Sequence, residues 1–313
     1  MRKFFFTLLL CVLVGIVYLY KDDLYRFYDK YLDNDSRTKY DDVKVSLGKT
    51  NEYFRDLDFN FVQVTDNFKP NNKQDLYNIY YTIINAGKDE FTFYCPSTWK
   101  ECIDEVKYLS NDQANLSNIN NFVHPFNSFR HIETSYDSNG KIILKINHAY
   151  TNSDILNVKS VIQKIESELK NDSLDSNEQI RLYHDYIVNN TVYDSDRSDN
   201  NIINYKSDIA YGTLVEGHSL CGGYTDSMAI LLNDLGLVNY KVTSQNHIWN
   251  AVKIGEDWYN LDLTWDDPVT QNGIQLIEHD FFLITTERLK QIEQTEHNFD
   301  EAVYSELVGW LED

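Results

Sequence analysis

Positive charge is scarce in this chain of 313 residues. Lys and Arg number 28 against 49 Asp and Glu, which leaves a formal net charge of -21 at pH 7. This balance argues against binding to nucleic-acid backbones or anionic lipid surfaces, because both repel an acidic protein. It favours cationic or neutral partners, although plain solubility is the simpler interpretation of the charge.

Signatures of cofactor and metal chemistry are also missing. The sequence has no P-loop, no dinucleotide-binding glycine fingerprint, no HExxH motif and no Cys/His spacing typical of zinc. We therefore expect neither a metal nor an organic cofactor. The histidines without metal-ligand spacing are His124, His131, His148, His184, His279 and His297.

A mostly apolar run from Phe4 to Tyr20 follows the charges of Arg2 and Lys3. At about seventeen residues it reaches the lower limit for a membrane span, and the preceding positive charges predict an N-terminus inside and a body outside. A cleavable signal peptide is the alternative, but no convincing small-residue cleavage site ends the run. We predict a signal anchor at 1–20 and an extracytoplasmic body, with secretion after cleavage as the alternative.

Cysteine is sparse, with only four residues. Cys11 lies in the predicted anchor, whereas Cys95, Cys102 and Cys221 lie outside, where disulfides can form. If Cys95 pairs with Cys102, Cys221 is left as a free thiol, which suggests a catalytic role. Alternatively, both are reduced and buried, because a sequence does not fix their Cα separation.

Cys221 stands at the start of a predicted helix that ends at Gly236. The apolar positions with helical spacing are Tyr224, Met228, Leu231, Leu232 and Leu235. A thiol at a helix N-terminus lies at the positive end of the helix dipole, which favours the thiolate. Gly222 and Gly223 leave bare backbone beside the sulfur, so we expect a substrate chain to approach there. A buried structural cysteine is the alternative.

Two alternating segments, 247–254 and 257–264, flank Gly255-Glu256. A Gly-X pair is typical of a type II′ hairpin turn. The resulting register makes His247 and Asp262 diagonal neighbours on one face, with backbones roughly 7–8 Å apart. A slip of one residue would place them on opposite faces. The other face is apolar and should pack on a core; it comprises Ile248, Val252, Ile254, Leu261 and Leu263.

Cys221, His247 and Asp262 have the residue types of a nucleophile, a base and an orienting carboxylate. The structural alternatives are a histidine packed on a neighbouring tryptophan and a solvated carboxylate. Asp266 and Asp267 are interpreted as turn formers before a proline. We interpret His218 as a surface bystander, and the alternative is a histidine near the sulfur that modulates it. The oxyanion hole should use the Cys221 N–H and one further donor. Proximity in the pattern of the family named below makes Tyr193 and Tyr211 the candidates for that donor.

Around these residues the chain resembles the transglutaminase-like superfamily, permuted relatives of papain-like cysteine proteases. The resemblance covers about residues 155 to 300. It implies that Cys221 is the nucleophile, His247 the base and Asp262 the orienting residue, but it does not choose among cross-linking, proteolysis, amide hydrolysis and an inactive scaffold. The stretches that carry it are 211–217, 221–224, 247–250, 258–268, His184-Asp185-Tyr186-Ile187, Tyr193-Asp194 and Asp280-Phe281-Phe282.

We predict an α+β fold with a papain-like, transglutaminase-like core. In that core Cys221 begins a helix packed on an antiparallel sheet that carries His247 and Asp262. The predicted domains are the anchor at 1–20, a juxtamembrane stalk or helix at 21–72, a small mixed α/β domain at 73–150 and a transglutaminase-like domain at 151–313. The unit at 73–150 is interpreted as a separate substrate-positioning or partner-binding domain, or as a lid on the core.

Individual elements follow from local patterns. Capping boxes are predicted at Thr98/Glu101 and at Ser176/Gln179. The predicted helices are 75–84, 98–109, 155–169 and 176–188, and the predicted strands outside the hairpin are 90–94, 130–136, 141–149 and 280–284.

The expected function is extracytoplasmic thiol acyl transfer, in which the enzyme attacks a carboxamide or peptide carbonyl through a thioester. Such an enzyme would be a cysteine protease, an amidase or a transglutaminase. The expected partners are a protein or peptide substrate, such as a cell-surface or wall peptide, and the membrane through the anchor, with no nucleic acid. The alternative is a catalytically idle module for surface protein binding or assembly.

Overall fold

A computed structural model describes residues 20–21, 37–268 and 276–309 of the chain. The predicted anchor lies outside them apart from residue 20, and it stays a prediction. Within these described ranges, no helix combines the length and the apolar character that a membrane crossing requires.

The first part of the body is a three-stranded antiparallel sheet with helices around it. Its strand order is β1-β3-β2. The elements are α1 (Lys73–Asn85), β1 (Glu90–Tyr94), α2 (Cys102–Asn111), α3 (Gln113–Asn121), β2 (Phe129–Tyr136) and β3 (Lys141–His148). A disulfide joins Cys95, just after β1, to Cys102 at the start of α2, with Cα atoms 5.7 Å apart. Cys221 is left as a free cysteine.

The second part carries a short parallel pair, β4 and β5, and a three-stranded antiparallel sheet of order β6-β7-β8. The elements are α4 (Asn152–Leu169), α5 (Ser176–Asn189), β4 (Val192–Tyr193), α6 (Ser195–Asn200), β5 (His218–Ser219), α7 (Cys221–Asp234), β6 (Asn239–Thr243), β7 (Ile248–Ile254), β8 (Asp257–Leu261) and α8 (Thr286–Ile292). Helices α4 and α5 come before these strands, α6 and α7 lie between them in the chain, and α8 follows them.

The β6-β7-β8 sheet lies between two apolar clusters, because successive side chains of a strand face opposite sides. Val252 and Leu261 pack on one side with residues of α4, α5 and α7. Trp249 and Ala251 pack on the other side with residues of α1, α2 and α3. The sheet therefore joins the first part of the body to the helix that begins at Cys221.

The described part of the predicted stalk, residues 37–72, is irregular chain after a short 3-10 helix at Arg37–Tyr40. Phe59, Val62 and Phe68 are buried in the same cluster as α1 and β7. These residues thus lie against the body. The domain boundaries stay a prediction.

Three local predictions are wrong. The capping box at Thr98/Glu101 is absent, because helix α2 begins only at Cys102 and its N-cap residue, Glu101, makes no side-chain capping bond. Helix α5 is capped one residue earlier than predicted, by Asp175 with Glu178. The strand predicted at 280–284 is absent, since only Ile284 forms a bridge, to Asn260.

Candidate active site

Cys221 is the first residue of α7, and the helix is followed by Gly236 with φ 73°, as the sequence predicts. The thiol is half-buried. Strand β5 leads directly into the helix, and the N–H of Leu220 donates to Ser207 O at 2.8 Å. This bond fixes the chain immediately before the sulfur.

Gly222 and Gly223 serve a purpose other than the one expected from the sequence. A Cβ at Gly222 would lie 2.7 Å from Asp208 O, and one at Gly223 would lie 2.5 Å from Ser207 O. The protein's own backbone therefore occupies the space beside these glycines, and the predicted approach of a substrate chain there is wrong. Glycine is needed because helix and loop pack too closely for a side chain.

The hairpin has the predicted register, with Ile254 opposite Asp257. Gly255 has φ 64°, and Glu256 is not among the residues with positive φ, which fits a type II′ turn. His247 precedes β7 and Asp262 follows β8, so both lie at the open end of the hairpin. Nε2 of His247 is 2.5 Å from Oδ2 of Asp262.

Hydrogen bonds dock α7 on β7. Thr225 Oγ1 is 2.8 Å from Cys221 O and 3.0 Å from Ile248 O, and the Asn250 side chain donates to Thr225 O at 3.0 Å. This docking brings the Cys221 thiol close enough to His247 to raise the pKa of the imidazole. The structure thus brings the three residues singled out from the sequence together in one chain of contacts.

The electrostatics of the site favour a charged imidazole. Burial lowers the pKa of His247, but the charge and hydrogen bond of Asp262, together with Cys221, outweigh burial and raise it from 6.5 to about 10. Burial raises the pKa of Asp262, but His247 and His297 outweigh it and hold that pKa well below its usual range. The resulting ion pair is almost completely buried, with both side chains at or below 5% exposure.

A second histidine, His297, contacts Asp262, and the sequence alone did not indicate this contact. His297 Nε2 lies 2.8 Å from Asp262 Oδ2, and its Nδ1 lies 2.9 Å from Glu293 Oε2. The ring is fully buried and packs on Trp249, with centroids 4.7 Å apart. His297 is 35 residues from Asp262, and no local pattern could have paired them.

The other oxygen of Asp262 anchors the turn after β8. Oδ1 accepts the backbone N–H groups of Thr264, at 2.9 Å, and Trp265, at 3.3 Å. Asp262 therefore holds the following turn as well as the two imidazoles.

Asp266 and Asp267 lie in that turn, as predicted, but they are also buried and bonded. Asp266 Oδ2 is 3.2 Å from His184 Nε2, and the Tyr224 hydroxyl donates to Asp267. Burial is the main cause that raises the pKa of both carboxyls. The turn interpretation was therefore incomplete.

His218 and Tyr193 flank the thiol region. His218 stacks on Tyr205 with ring centroids 3.8 Å apart, and it is half-buried instead of a surface bystander. Tyr193 lies close enough to Cys221 to interact with it electrostatically. Together with Trp265 and Pro268, Tyr193 lines a cavity of about 260 Å³. A larger cavity of about 490 Å³ lies at the opposite end of α7, beside Ile230 and Asn233.

No protein-family model and no curated protein matches the chain. Two solved structures resemble part of it. One is a TGase (transglutaminase), with 16% identity over 44% of each chain and a TM-score of 0.33. The other is a candidate cysteine protease from Cytophaga hutchinsonii, with 15% identity over 47% of this chain and 65% of that one and a TM-score of 0.28. The match spans less than two thirds of either structure, and neither likeness bears on activity.

Proposed function

We propose that the protein is a thiol acyl-transfer enzyme of the transglutaminase-like type, with Cys221 as the nucleophile, His247 as the base and Asp262 as the orienting carboxylate. The observation that carries the proposal is the position of His247, between the free thiol at a helix N-terminus and a buried ionised carboxylate. A nucleophile, a base and an orienting residue in contact form the arrangement that covalent catalysis requires.

In the proposed reaction the Cys221 thiolate attacks a carboxamide or peptide carbonyl. The His247 imidazolium gives its proton to the leaving nitrogen, and the carbon–nitrogen bond breaks to leave a thioester. Water or an amine then attacks the thioester while neutral His247 takes the proton from it, and the thiolate is regenerated. Asp262 fixes the ring orientation and offsets the imidazolium charge throughout.

Charge on the carbonyl oxygen needs stabilisation at the moment of attack. The Cys221 N–H lies in the first turn of α7, where backbone N–H groups have no helical acceptor, so it can serve as one oxyanion donor. Tyr193 is the second donor that we propose, since it interacts with Cys221 and lines the adjacent cavity.

The disulfide between Cys95 and Cys102 supports an oxidising compartment. We therefore place the body on the extracytoplasmic side, held by the predicted anchor at 1–20 or secreted after its removal. The substrates proposed there are proteins or peptides of the cell surface or wall, and their neutral or cationic groups suit a chain with a net charge of -21.

The proposal is tested by the rate at which iodoacetamide alkylates Cys221 at pH 6, read by mass spectrometry. We expect rapid alkylation in the natural protein and a rate close to that of an ordinary thiol in His247→Ala. His131→Ala is a matched control, because His131 is exposed and only 3.9 Å from a carboxylate, Glu133. Equal, ordinary rates in the natural protein and in His247→Ala would refute the enzyme and favour an idle module.

A further inference from the structure

Three metal-ligand side chains meet outside the group formed by Cys221, His247 and Asp262. Nδ1 of His184 is 2.9 Å from Oδ1 of Asp185, and Nε2 of His279 is 2.7 Å from the same oxygen. All three ligand atoms lie within 4.8 Å of one another. His184 and Asp185 are neighbours on α5, whereas His279 comes from the chain before α8. Folding therefore assembles this cluster from distant parts of the sequence.

We propose that His184, Asp185 and His279 bind a divalent transition metal of the Zn²⁺ type. Two imidazole nitrogens and one carboxylate oxygen suit zinc, cobalt and nickel. Calcium and magnesium prefer oxygen ligands throughout. The proposal is independent of the thiol chemistry of Cys221.

The two histidine nitrogens need to move only slightly away from the Asp185 oxygen to admit the ion. Bonds of about 2.0–2.2 Å in a tetrahedral site place neighbouring ligand atoms roughly 3.4 Å apart. Each of the two measured separations would widen by about half an ångström or slightly more, which side-chain rotation can supply. Asp185 and His279 are 33% and 26% exposed, so solvent can reach the cluster and a water can complete the coordination.

The environment of His184 is an independent reason to place a cation here. Its Nε2 faces the buried carboxylate of Asp266 at 3.2 Å, which is the outer carboxylate that metal-bound histidines ordinarily have. Its other ring nitrogen, Nδ1, lies 2.9 Å from Oδ1 of Asp185, so one ring links the proposed carboxylate ligand to the outer carboxylate.

Arg181 opposes metal binding and thereby offers a test. Its guanidinium lies 3.5 Å from Nδ1 of His279, and it is exposed at the surface of α5. A positive charge so close to a ligand weakens the attraction for a cation. Removal of this charge in Arg181→Gln is therefore expected to tighten the site.

A bound metal would tie α5 to the segment that supports Asp262. In that segment, two residues after His279, the Phe281 carbonyl accepts the Asp262 N–H at 3.1 Å, and the Phe281 N–H donates to Asp266. We therefore expect the metal to stabilise the fold near the proposed active site without contacting the thiol.

A second cluster of His247, Asp262 and His297 must be distinguished from this one. It is completely buried, whereas Asp185 and His279 of the proposed site are partly exposed to solvent. It belongs to the site described above. Alkylation of Cys221 before the experiment removes the sulfur as a competing ligand.

The test is equilibrium dialysis of the full chain, alkylated at Cys221, against zinc sulfate, followed by Co²⁺ absorption spectroscopy. We expect one Zn²⁺ per chain and a Co²⁺ spectrum with ligand-field bands but without a sulfur charge-transfer band. Asp185→Asn and His279→Ala should each weaken binding at least tenfold, Asp266→Asn about 10–100-fold, and Arg181→Gln should strengthen it. Circular dichroism confirms that each variant is folded.

His131→Ala and His297→Ala are the controls that should keep the affinity. The proposal is overturned if no zinc binds, or if zinc binds with equal affinity to His279→Ala. It is also overturned if His297→Ala abolishes binding while Asp185→Asn does not, because the metal would then occupy the buried cluster.

Discussion

Replacement of Asp262 by asparagine tests the electrostatic basis of the site. The amide oxygen can keep the two backbone bonds that Oδ1 accepts from Thr264 and Trp265, so the turn should survive. The change removes the negative charge that faces His247 and His297. The variant therefore tests the effect of the Asp262 charge on the imidazoles while the turn that Asp262 holds stays intact.

The size of the effect follows from His247. Its pKa stands at about 10 against an ordinary 6.5, a difference worth roughly 5 kcal/mol in favour of the imidazolium. Burial acts in the opposite direction, so without the Asp262 charge the pKa of His247 should fall below 6.5. An ordinary thiol is ionised to only about 0.3% at pH 6. The more basic thiolate is also more nucleophilic, with a Brønsted slope of about 0.4–0.5, so the net slowing of alkylation at pH 6 should be about tenfold.

The assay is the rate of Cys221 alkylation by iodoacetamide between pH 5 and pH 9. Asp89→Asn is the matched control, because Asp89 is an exposed carboxylate 3.4 Å from His148. The natural protein and this control should react rapidly at pH 6, whereas Asp262→Asn should need alkaline pH. A folded Asp262→Asn protein with the natural rate at pH 6 would refute our account of the His247 charge.

Three further predictions concern stability, and each is checked by urea denaturation. Burial is the main cause that lowers the pKa of His124 to about 3, so between pH 7.5 and pH 4.5 the unfolded chain takes up a proton at this residue and the folded chain does not. The free energy of unfolding should therefore fall by about 2–3 kcal/mol over that range. His124→Gln should remove this part of the loss. Gly223→Ala places a methyl group 2.5 Å from Ser207 O and should cost about 1–3 kcal/mol; a fully stable variant would contradict the close packing. Replacing both Cys95 and Cys102 by serine opens a short loop and should cost about 2–3 kcal/mol, and an unchanged midpoint under oxidising conditions would contradict the disulfide.

Short-range features of the site could be predicted from the sequence. The hairpin register depends on Gly255-Glu256, and two residues are enough to define such a turn. The start of α7 at Cys221 depends on one apolar stripe that Gly236 terminates. Each signal is contained within about fifteen residues, over which local sterics and periodicity dominate.

Features that depend on tertiary packing could not be predicted. His297 reaches Asp262 only because the chain after α8 folds back onto the hairpin. Nothing in the sequence around Gly222 and Gly223 indicates that the protein's own loop, at Ser207 and Asp208, fills the space beside them. The strand expected at 280–284 has a suitable apolar pattern, but its N–H and C=O groups are taken by side chains and turns around Asp262 and Asp266.

The hairpin supplies both halves of the ion pair, while the sulfur comes from another element. His247 and Asp262 therefore move as a unit on one ribbon, and sliding of α7 across the sheet changes only the gap between sulfur and ring. A perturbation that loosens the helix, even one far from the cleft, should uncouple the thiol and leave the imidazole and the carboxylate still joined.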